Sequence, residues 1–202
     1  MIDIHNHIIP GLDDGSKSLE MSMKMLKHAS KQGITEIVNT VHYQHPKIDM
    51  NSISFDAVQI ELENLQLELN KNCIPIKLHI GAEIFFLPNL LSLIDKPMTT
   101  FGNGKYMLIE FPLNLMPDSQ KQQLFDLRMS GVIPIIAHPE RYLSIQRKPE
   151  LVLNWLDAGC IIQVDAGSVL GYLGSKAQET SEIIIKNSWC QVIASDAHDD
   201  KK

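Results

Sequence analysis

The chain has 202 residues, of which 44% are hydrophobic and 21% charged, a composition typical of one globular domain with a sizeable core. Its net charge of −6 argues against a nucleic-acid surface, and no apolar run approaches the roughly 18 residues needed to cross a bilayer. Three widely spaced cysteines (Cys73, Cys160 and Cys190) and the lack of a signal-peptide pattern predict reduced thiols and a cytoplasmic protein.

Strand-like and helix-like segments alternate along the chain. Short apolar runs predict strands at 2–5, 35–41, 75–81, 106–110, 132–137, 160–164 and 191–194. Amphipathic stretches predict helices at 17–32, 54–72, 118–130, 148–158 and 175–187. Gly33, Gly131 and Gly159 each separate a predicted helix from a predicted strand, as helix C-cap glycines do.

This alternation is typical of an α/β fold with a parallel sheet or a closed β/α barrel. The chain is short for an eight-unit barrel of about 250 residues, so we expect a distorted, TIM-like barrel of seven strands. We expect residues 1–202 to form a single domain. No helix is predicted after the last strand, so one flank of the barrel is expected to be exposed or covered by a partner.

Potential metal ligands fall at the ends of six predicted strands or in the loops that follow. They are His5, His7, Asp14, His42, Glu83, Glu110, His138, Asp196 and His198. Functional groups of parallel β/α folds gather where strands end, so these side chains are expected to meet at one rim. A His-x-His pair alone is equally consistent with a structural role. The whole set predicts a shared metal site, because burying uncompensated acids is costly.

The mixed imidazole and carboxylate set suits Mn²⁺, Fe²⁺ or Zn²⁺ better than Ca²⁺ or Mg²⁺. It exceeds the needs of one tetrahedral ion and indicates two or three ions, an arrangement typical of phosphoester hydrolysis. Arg141 is the natural phosphate partner, with a surface ion pair as the alternative. Asp13 is read as a turn former but could exchange roles with Asp14. His45 is a candidate for lining the pocket or acting as an acid.

The assembled motifs resemble the polymerase and histidinol phosphatase (PHP) family. They are MIDIHNHIIPGLDDGS, TVHYQHP, GAEI, YMLIEFP, GVIPIIAHPER, QVDAGSVLG and ASDAH, in order over nearly the whole chain. Within the family, the sequence is most similar to the manganese-dependent tyrosine-protein phosphatases of bacterial capsule and exopolysaccharide operons. This resemblance implies a PHP barrel that hydrolyses phosphotyrosine on the tail of a tyrosine kinase controlling polysaccharide export.

The resemblance also implies a three-metal centre. His5, His7, Glu83 and Asp196 would hold the first ion, and Glu83 would bridge to a second ion completed by Glu110 and His138. Asp14, His42 and His198 would hold the third ion, and Arg141 would grip the substrate phosphate. One departure is at the end, where relatives continue with another arginine and a final helix but this chain has Asp199, Asp200, Lys201 and Lys202.

Other functions are kept open. A small-molecule phosphatase of the histidinol-phosphate type would use the same cluster, and a truncated, inactive relative would bind metal without turnover. An amidohydrolase is disfavoured, because that class commonly bridges its metals with a modified lysine and no lysine lies at the end of a predicted strand here. None of the cysteines lies in a Cys-x5-Arg loop, which excludes the usual thiol mechanism of tyrosine phosphatases.

Overall fold

Seven parallel strands form one sheet in the sequential order β1 to β7. The structure is a computed structural model that describes residues 1–49 and 53–200. The strands are β1 (Ile2–Asn6), β2 (Glu36–Tyr43), β3 (Lys77–Phe85), β4 (Tyr106–Glu110), β5 (Ile133–Ala137), β6 (Ile161–Asp165) and β7 (Val192–Ala194). Each predicted strand is therefore present, and all of their carboxyl ends point the same way.

β1 and the segment that follows β7 meet and nearly close the sheet into a barrel. Asn6 and Ala197 form a parallel bridge. The His7 amide donates to the Ala197 carbonyl at 3.0 Å, and the Asp196 amide donates to the His5 carbonyl at 2.9 Å. Between β1 and the residue that follows β7, the Asp3 carboxylate also accepts from the Ser195 amide at 3.0 Å. The backbone bridge between these two segments therefore lies at the carboxyl rim, and the distorted seven-stranded barrel is confirmed.

The helices lie on the outside of this barrel. They are α1 (Leu19–Lys31), α2 (Phe55–Lys71), α3 (Gln120–Met129), α4 (Leu143–Arg147), α5 (Leu153–Asp157), α6 (Ala166–Val169) and α7 (Ser175–Lys186). Ser18 and Ser54 cap α1 and α2, each with its hydroxyl accepting a backbone amide at 3.2 Å. The described part of the chain has no helix after β7. Among those same residues, every helix falls short of the length and apolar character that a membrane span requires.

Two predicted elements differ from the structure. The helix expected at 148–158 is instead a short 3₁₀ turn (Pro149–Val152) followed by α5. Lys148 precedes a proline and has an extended φ of −148°, so it lies outside the helical segment, which begins at Pro149. Strand β3 runs to Phe85 rather than ending at residue 81, so Glu83 lies within the strand and not after it.

The barrel interior beneath the rim is filled by apolar side chains. Leu108 and Ile135 are cross-strand partners on β4 and β5, and they pack with Ala137. Because strand side chains alternate, Leu108 faces the same side of β4 as Glu110, two residues later. The larger core lies between the outer strand faces and the helices, where α2 buries Val58, Leu62, Leu65 and Leu69. Apolar side chains inside the barrel therefore pack directly beneath the polar residues of the carboxyl rim.

Tyr142 ties the ends of β4 and β5 together. Its fully buried hydroxyl donates to the Ala137 carbonyl at 2.7 Å and accepts from the Phe111 amide at 3.0 Å. Tyr142→Phe should lower the free energy of unfolding by about 1–3 kcal/mol, because a buried amide loses its partner. Urea denaturation measures this change, with the exposed Tyr172→Phe as the control. Equal losses in the two variants would contradict the assigned role.

Candidate metal centre

The predicted ligands converge at the carboxyl rim of the barrel. Each of the nine candidates has a ring nitrogen or carboxylate oxygen within 4 Å of another candidate's. They come from β1 to β4, from the segments after β1 and β5 and from the segment after β7. Side chains spread over nearly the whole sequence therefore form one continuous cluster.

A first group gathers two histidines and two carboxylates. His5 Nε2 lies 3.3 Å from Glu83 Oε2 and 3.1 Å from Asp196 Oδ1. His7 Nε2 lies 3.6 Å and 3.4 Å from the same two oxygens, and 3.3 Å from His5 Nε2. Ligand atoms around one ion at bond lengths of about 2.1 Å have separations of this size. These four residues could hold a metal ion.

A second group surrounds Glu83, which is almost completely buried. His42 Nδ1 lies 3.1 Å from Glu83 Oε2 and 3.9 Å from Glu110 Oε2. His138 Nε2 lies 2.9 Å from the other oxygen, Glu83 Oε1. The compact group is His42, Glu83 and Glu110, whereas the resemblance implies that His138 completes the set. Glu83 thus contacts four imidazoles and lies at the centre of the cluster.

A third group lies nearer the surface. Asp14 Oδ1 is 3.2 Å from His42 Nε2 and 3.4 Å from His198 Nε2, and these residues with His7 could hold an ion. Asp13 points elsewhere, with Oδ2 accepting from His7 Nδ1 at 2.9 Å and from the His42 amide at 3.1 Å. The structure therefore places Asp14 among the possible ligands and Asp13 behind His7.

Gly15 allows the loop that carries both aspartates to pack against His7. A Cβ at this position would lie 2.3 Å from the His7 carbonyl oxygen and 2.5 Å from its Cβ. Side chains larger than hydrogen are therefore excluded unless the backbone shifts. The GLDDG motif thus has a steric as well as a chemical requirement.

Gln163 is a site residue that the sequence reasoning missed. Its Oε1 accepts from His5 Nδ1 at 2.9 Å, and its side chain is fully buried. This contact orients His5 so that Nε2 faces the two carboxylates. The available signal was a polar residue inside the apolar run IIQVD, two positions before Asp165. A glutamine that interrupts a buried strand requires a partner, and here the partner is a candidate ligand.

Two candidate ligands have left-handed backbone conformations. His138 has φ of 32° and Asp196 has φ of 46°, both uncommon for residues other than glycine. Each residue directly or shortly follows a strand, where a left-handed residue turns the chain sharply. Such strain persists only where surrounding contacts enforce it, and it concentrates at functional sites.

The electrostatics of the cluster show an excess of buried negative charge. Burial disfavours the imidazolium of His5, but the carboxylates of Asp196 and Glu83 outweigh it and raise its pKa well above the usual value. Burial, reinforced by the Glu83 charge, raises the pKa of Glu110 to about 8. Burial and the Arg141 charge lower the pKa of His138 to about 4. The carboxylates therefore need cations or protons beside them.

These observations fit bound divalent cations. His42 Nδ1, Glu110 Oε2 and Asp196 Oδ1 are buried atoms without a hydrogen-bond partner among the described residues, although each lies within 4 Å of another candidate ligand atom. They belong to a set of imidazoles and carboxylates that borderline transition metals prefer. Cations would compensate the buried carboxylates and satisfy atoms that would otherwise be costly to bury.

Arg141 lies beside the cluster and is partly exposed. Its Nη1 donates to Asp196 Oδ2 at 2.7 Å and lies 3.9 Å from Asp165 Oδ2. Asp165 therefore lies next to the cluster, and its other oxygen accepts from the Gly167 amide. Burial and the charge of Asp196 raise the pKa of Asp165 to about 6. Arg141 thus lies between the cluster of candidate ligands and the open cavity.

A cavity of about 330 Å³ opens onto this cluster. Asp14, His42, Glu83, Glu110, His138, Asp196 and His198 form its polar side, and Arg141 lies at its edge. Its other side is mostly apolar and aromatic, with His45, Pro46, Phe85, Phe111 and Leu113, and Lys47 and Asn114 complete the lining. The cavity can therefore admit a small anionic group next to the cluster.

The fold and cluster define a β/α-barrel protein whose rim carries residues that could hold metal ions, as in metal-dependent enzymes that hydrolyse phosphoesters. The chain belongs to the capsular polysaccharide synthesis CpsB/CapC family, whose pattern matches residues 1–202. The tyrosine-protein phosphatase YwqE of Bacillus subtilis is 34% identical over 202 residues, which cover 100% of this chain and 78% of YwqE.

Solved structures show the same relationship. One from a report on YwqE of Bacillus subtilis and CpsB of Streptococcus pneumoniae, described there as metal-dependent tyrosine phosphatases, superposes with a TM-score of 0.92 and 33% identity. The match covers 100% of this chain and 81% of that chain. A histidinol phosphate phosphatase from Lactococcus lactis has a TM-score of 0.62 at 16% identity, covering 100% of this chain and 89% of its own, which shows a shared fold.

Proposed function

We propose that this protein is a metal-dependent protein-tyrosine phosphatase, acting as a single domain over residues 1–202. The observation that carries the proposal is the convergence of imidazoles and carboxylates on Glu83, next to a cavity bordered by Arg141. The 34% identity to a tyrosine-protein phosphatase over the whole chain supports it. The cysteines supply no nucleophile here, since none of the three borders the cavity.

The proposed ligands are His5, His7, Asp14, His42, Glu83, Glu110, His138, Asp196 and His198. They fit up to three ions, with Mn²⁺ favoured by the donor set and Fe²⁺ or Zn²⁺ as alternatives. Bound cations of this kind supply Lewis acidity and a hydroxide nucleophile near neutral pH. Glu83 contacts members of the first two groups of ligands, so it is the residue whose charge these ions would share.

The remaining residues position these groups and the substrate. Arg141 presents a planar guanidinium toward the cavity, where it can pair with phosphate oxygens and neutralise charge in the transition state. Asp196 Oδ2 holds that guanidinium at 2.7 Å, while its other oxygen faces His5 and His7. Gln163 and Asp13 fix the imidazoles of His5 and His7 through their Nδ1 atoms.

The biological setting follows from the family. CpsB/CapC proteins are assigned to capsular polysaccharide synthesis. We propose that the substrate is the phosphotyrosine-bearing tail of a bacterial tyrosine kinase that controls capsule or exopolysaccharide export, and that the protein acts in the cytoplasm. The net charge of −6 argues against a nucleic-acid partner.

A substrate comparison tests this function. The Mn²⁺-loaded protein is assayed for phosphate release from a phosphotyrosyl peptide, the matched phosphoseryl peptide and histidinol phosphate. We expect kcat/KM to be highest for the phosphotyrosyl peptide. Preference for histidinol phosphate would replace the proposal with a small-molecule phosphatase. Full metal loading without hydrolysis of any of the three would indicate an inactive, metal-binding relative.

The contact between Gln163 and His5 gives a separate prediction. Gln163→Leu removes the acceptor that orients His5, so the affinity for Mn²⁺ should fall by about 10- to 100-fold. Metal titration followed by calorimetry measures this affinity. Gln59→Leu, on the exposed face of α2, serves as the control and should leave it unchanged. An unaltered affinity in Gln163→Leu would show that the contact does not support the metal site.

A further inference from the structure

The cavity has two chemically different sides. One side carries the carboxylates, the imidazoles of the cluster and Arg141. The other side is mostly apolar and aromatic, and Lys47 and Asn114 also line the cavity. A phosphate group requires only the polar side. The apolar side is therefore available for the part of the substrate that carries the phosphate.

Phe85 and His45 form the aromatic portion of this side. Their ring centroids are 5.0 Å apart at an interplanar angle of 86°, an edge-to-face contact. The His45 ring lies in turn 4.8 Å from that of His42, a proposed ligand. The pair therefore begins beside the cluster and extends away from it.

The position of Phe85 follows from strand geometry. It is the last residue of β3 and comes two positions after Glu83, so the two side chains project to the same side of the strand. Phe85 is partly exposed, whereas Phe111 on the same side of the cavity is fully buried and stacks on Trp155 at 5.7 Å. Phe111 belongs to the core, so Phe85 is the phenylalanine ring available to a ligand.

We propose that the Phe85–His45 pair is the wall that binds the aromatic ring of the substrate, so that the site selects aryl over alkyl phosphates. This inference rests on the proposed phosphatase function and assigns its specificity. A phenyl ring whose phosphate contacts Arg141 and the cluster would lie against Phe85 and His45. Aromatic pairs contribute beyond their buried area when rings meet edge to face or offset. An alkyl chain lacks this contribution.

Binding of two non-hydrolysable anions tests the wall independently of turnover. Dissociation constants for phenylphosphonate and methylphosphonate are measured by calorimetry on the Mn²⁺-loaded protein. We expect tighter binding of phenylphosphonate, and we expect Phe85→Leu to reduce the ratio of the two affinities by about fivefold to tenfold. His45→Asn should reduce the same ratio. Phe125→Leu, which removes an exposed ring on α3, should leave it unchanged.

The turnover ratio provides the second readout. The ratio of kcat/KM for p-nitrophenyl phosphate over β-glycerophosphate should fall in Phe85→Leu by a similar factor. If Phe85→Leu lowers kcat/KM equally for both esters, or lowers the affinity equally for both phosphonates, the proposal is wrong, because Phe85 would then have only a structural role. The absence of any preference for phenylphosphonate in the parent protein would overturn it as well. If the parent protein binds both phosphonates but hydrolyses neither ester, the proposed phosphatase function is wrong. The ratio of the two phosphonate affinities still tests whether Phe85 and His45 bind the aromatic ring.

Discussion

Glu83→Gln is expected to abolish phosphatase activity and to reduce the metal content of the protein. Glu83 is 1% exposed, and its two oxygens lie within 3.6 Å of four imidazole nitrogens. A neutral amide would remove the charge shared by two proposed ion positions and place an N–H donor toward one of them. Since cations of this kind supply several kcal/mol of transition-state stabilisation, kcat/KM should fall by about a thousandfold or more.

The measurement combines p-nitrophenyl phosphate kinetics with elemental analysis of the same samples. Glu150→Gln is the matched control, because Glu150 is exposed and lies in the turn before α5. It should retain parental activity and metal content. A Glu83→Gln protein that keeps its full metal content and parental kcat/KM would show that Glu83 is not a ligand.

Arg141→Ala should impair catalysis while leaving the metal bound. Its guanidinium pairs with Asp196 Oδ2, whereas the oxygen that faces His5 and His7 is Oδ1. Loss of the guanidinium removes a cation aimed at the phosphate without removing a proposed ligand. We expect kcat/KM to fall by about 10²- to 10³-fold, the loss typical of a group that stabilises transition-state charge.

Arg147→Ala is the control for this variant, since Arg147 is an exposed arginine at the end of α4. Metal content and the dissociation constant for phosphate are measured alongside the kinetics. The account predicts near-parental metal content in both variants and weaker phosphate binding only in Arg141→Ala. Parental kinetics in Arg141→Ala, or loss of metal with unchanged phosphate affinity, would remove Arg141 from the proposed role.

Much of the architecture could be predicted because each strand of this fold is a short apolar run in the sequence. Runs such as MLIE and IIAH combine continuous apolar residues with a polar residue at the end. Parallel strands place those ends at one rim, so local pattern was enough to bring Glu110 and His138 together with His5. The helices predicted at 17–32 and 54–72 correspond to α1 and α2, and the structure places their N-caps at Ser18 and Ser54.

The remaining features depend on tertiary geometry. Which aspartate of the Asp13–Asp14 pair faces the cluster is decided by the loop folding over His7, which local sequence does not encode. The approach of His42 to both Glu83 and Asp14 depends on the barrel's twist and closure. The left-handed conformations of His138 and Asp196 likewise depend on surrounding contacts, since only a few per cent of residues other than glycine adopt positive φ.

The most direct test of the central claim is a chelator series on the purified protein. Metal content and hydrolysis of a phosphotyrosyl peptide are measured on the same samples at each chelator concentration, and again after Mn²⁺ is restored. The account predicts that activity falls in parallel with bound metal and returns with Mn²⁺. Phosphotyrosine hydrolysis that persists in protein stripped of metal would contradict it.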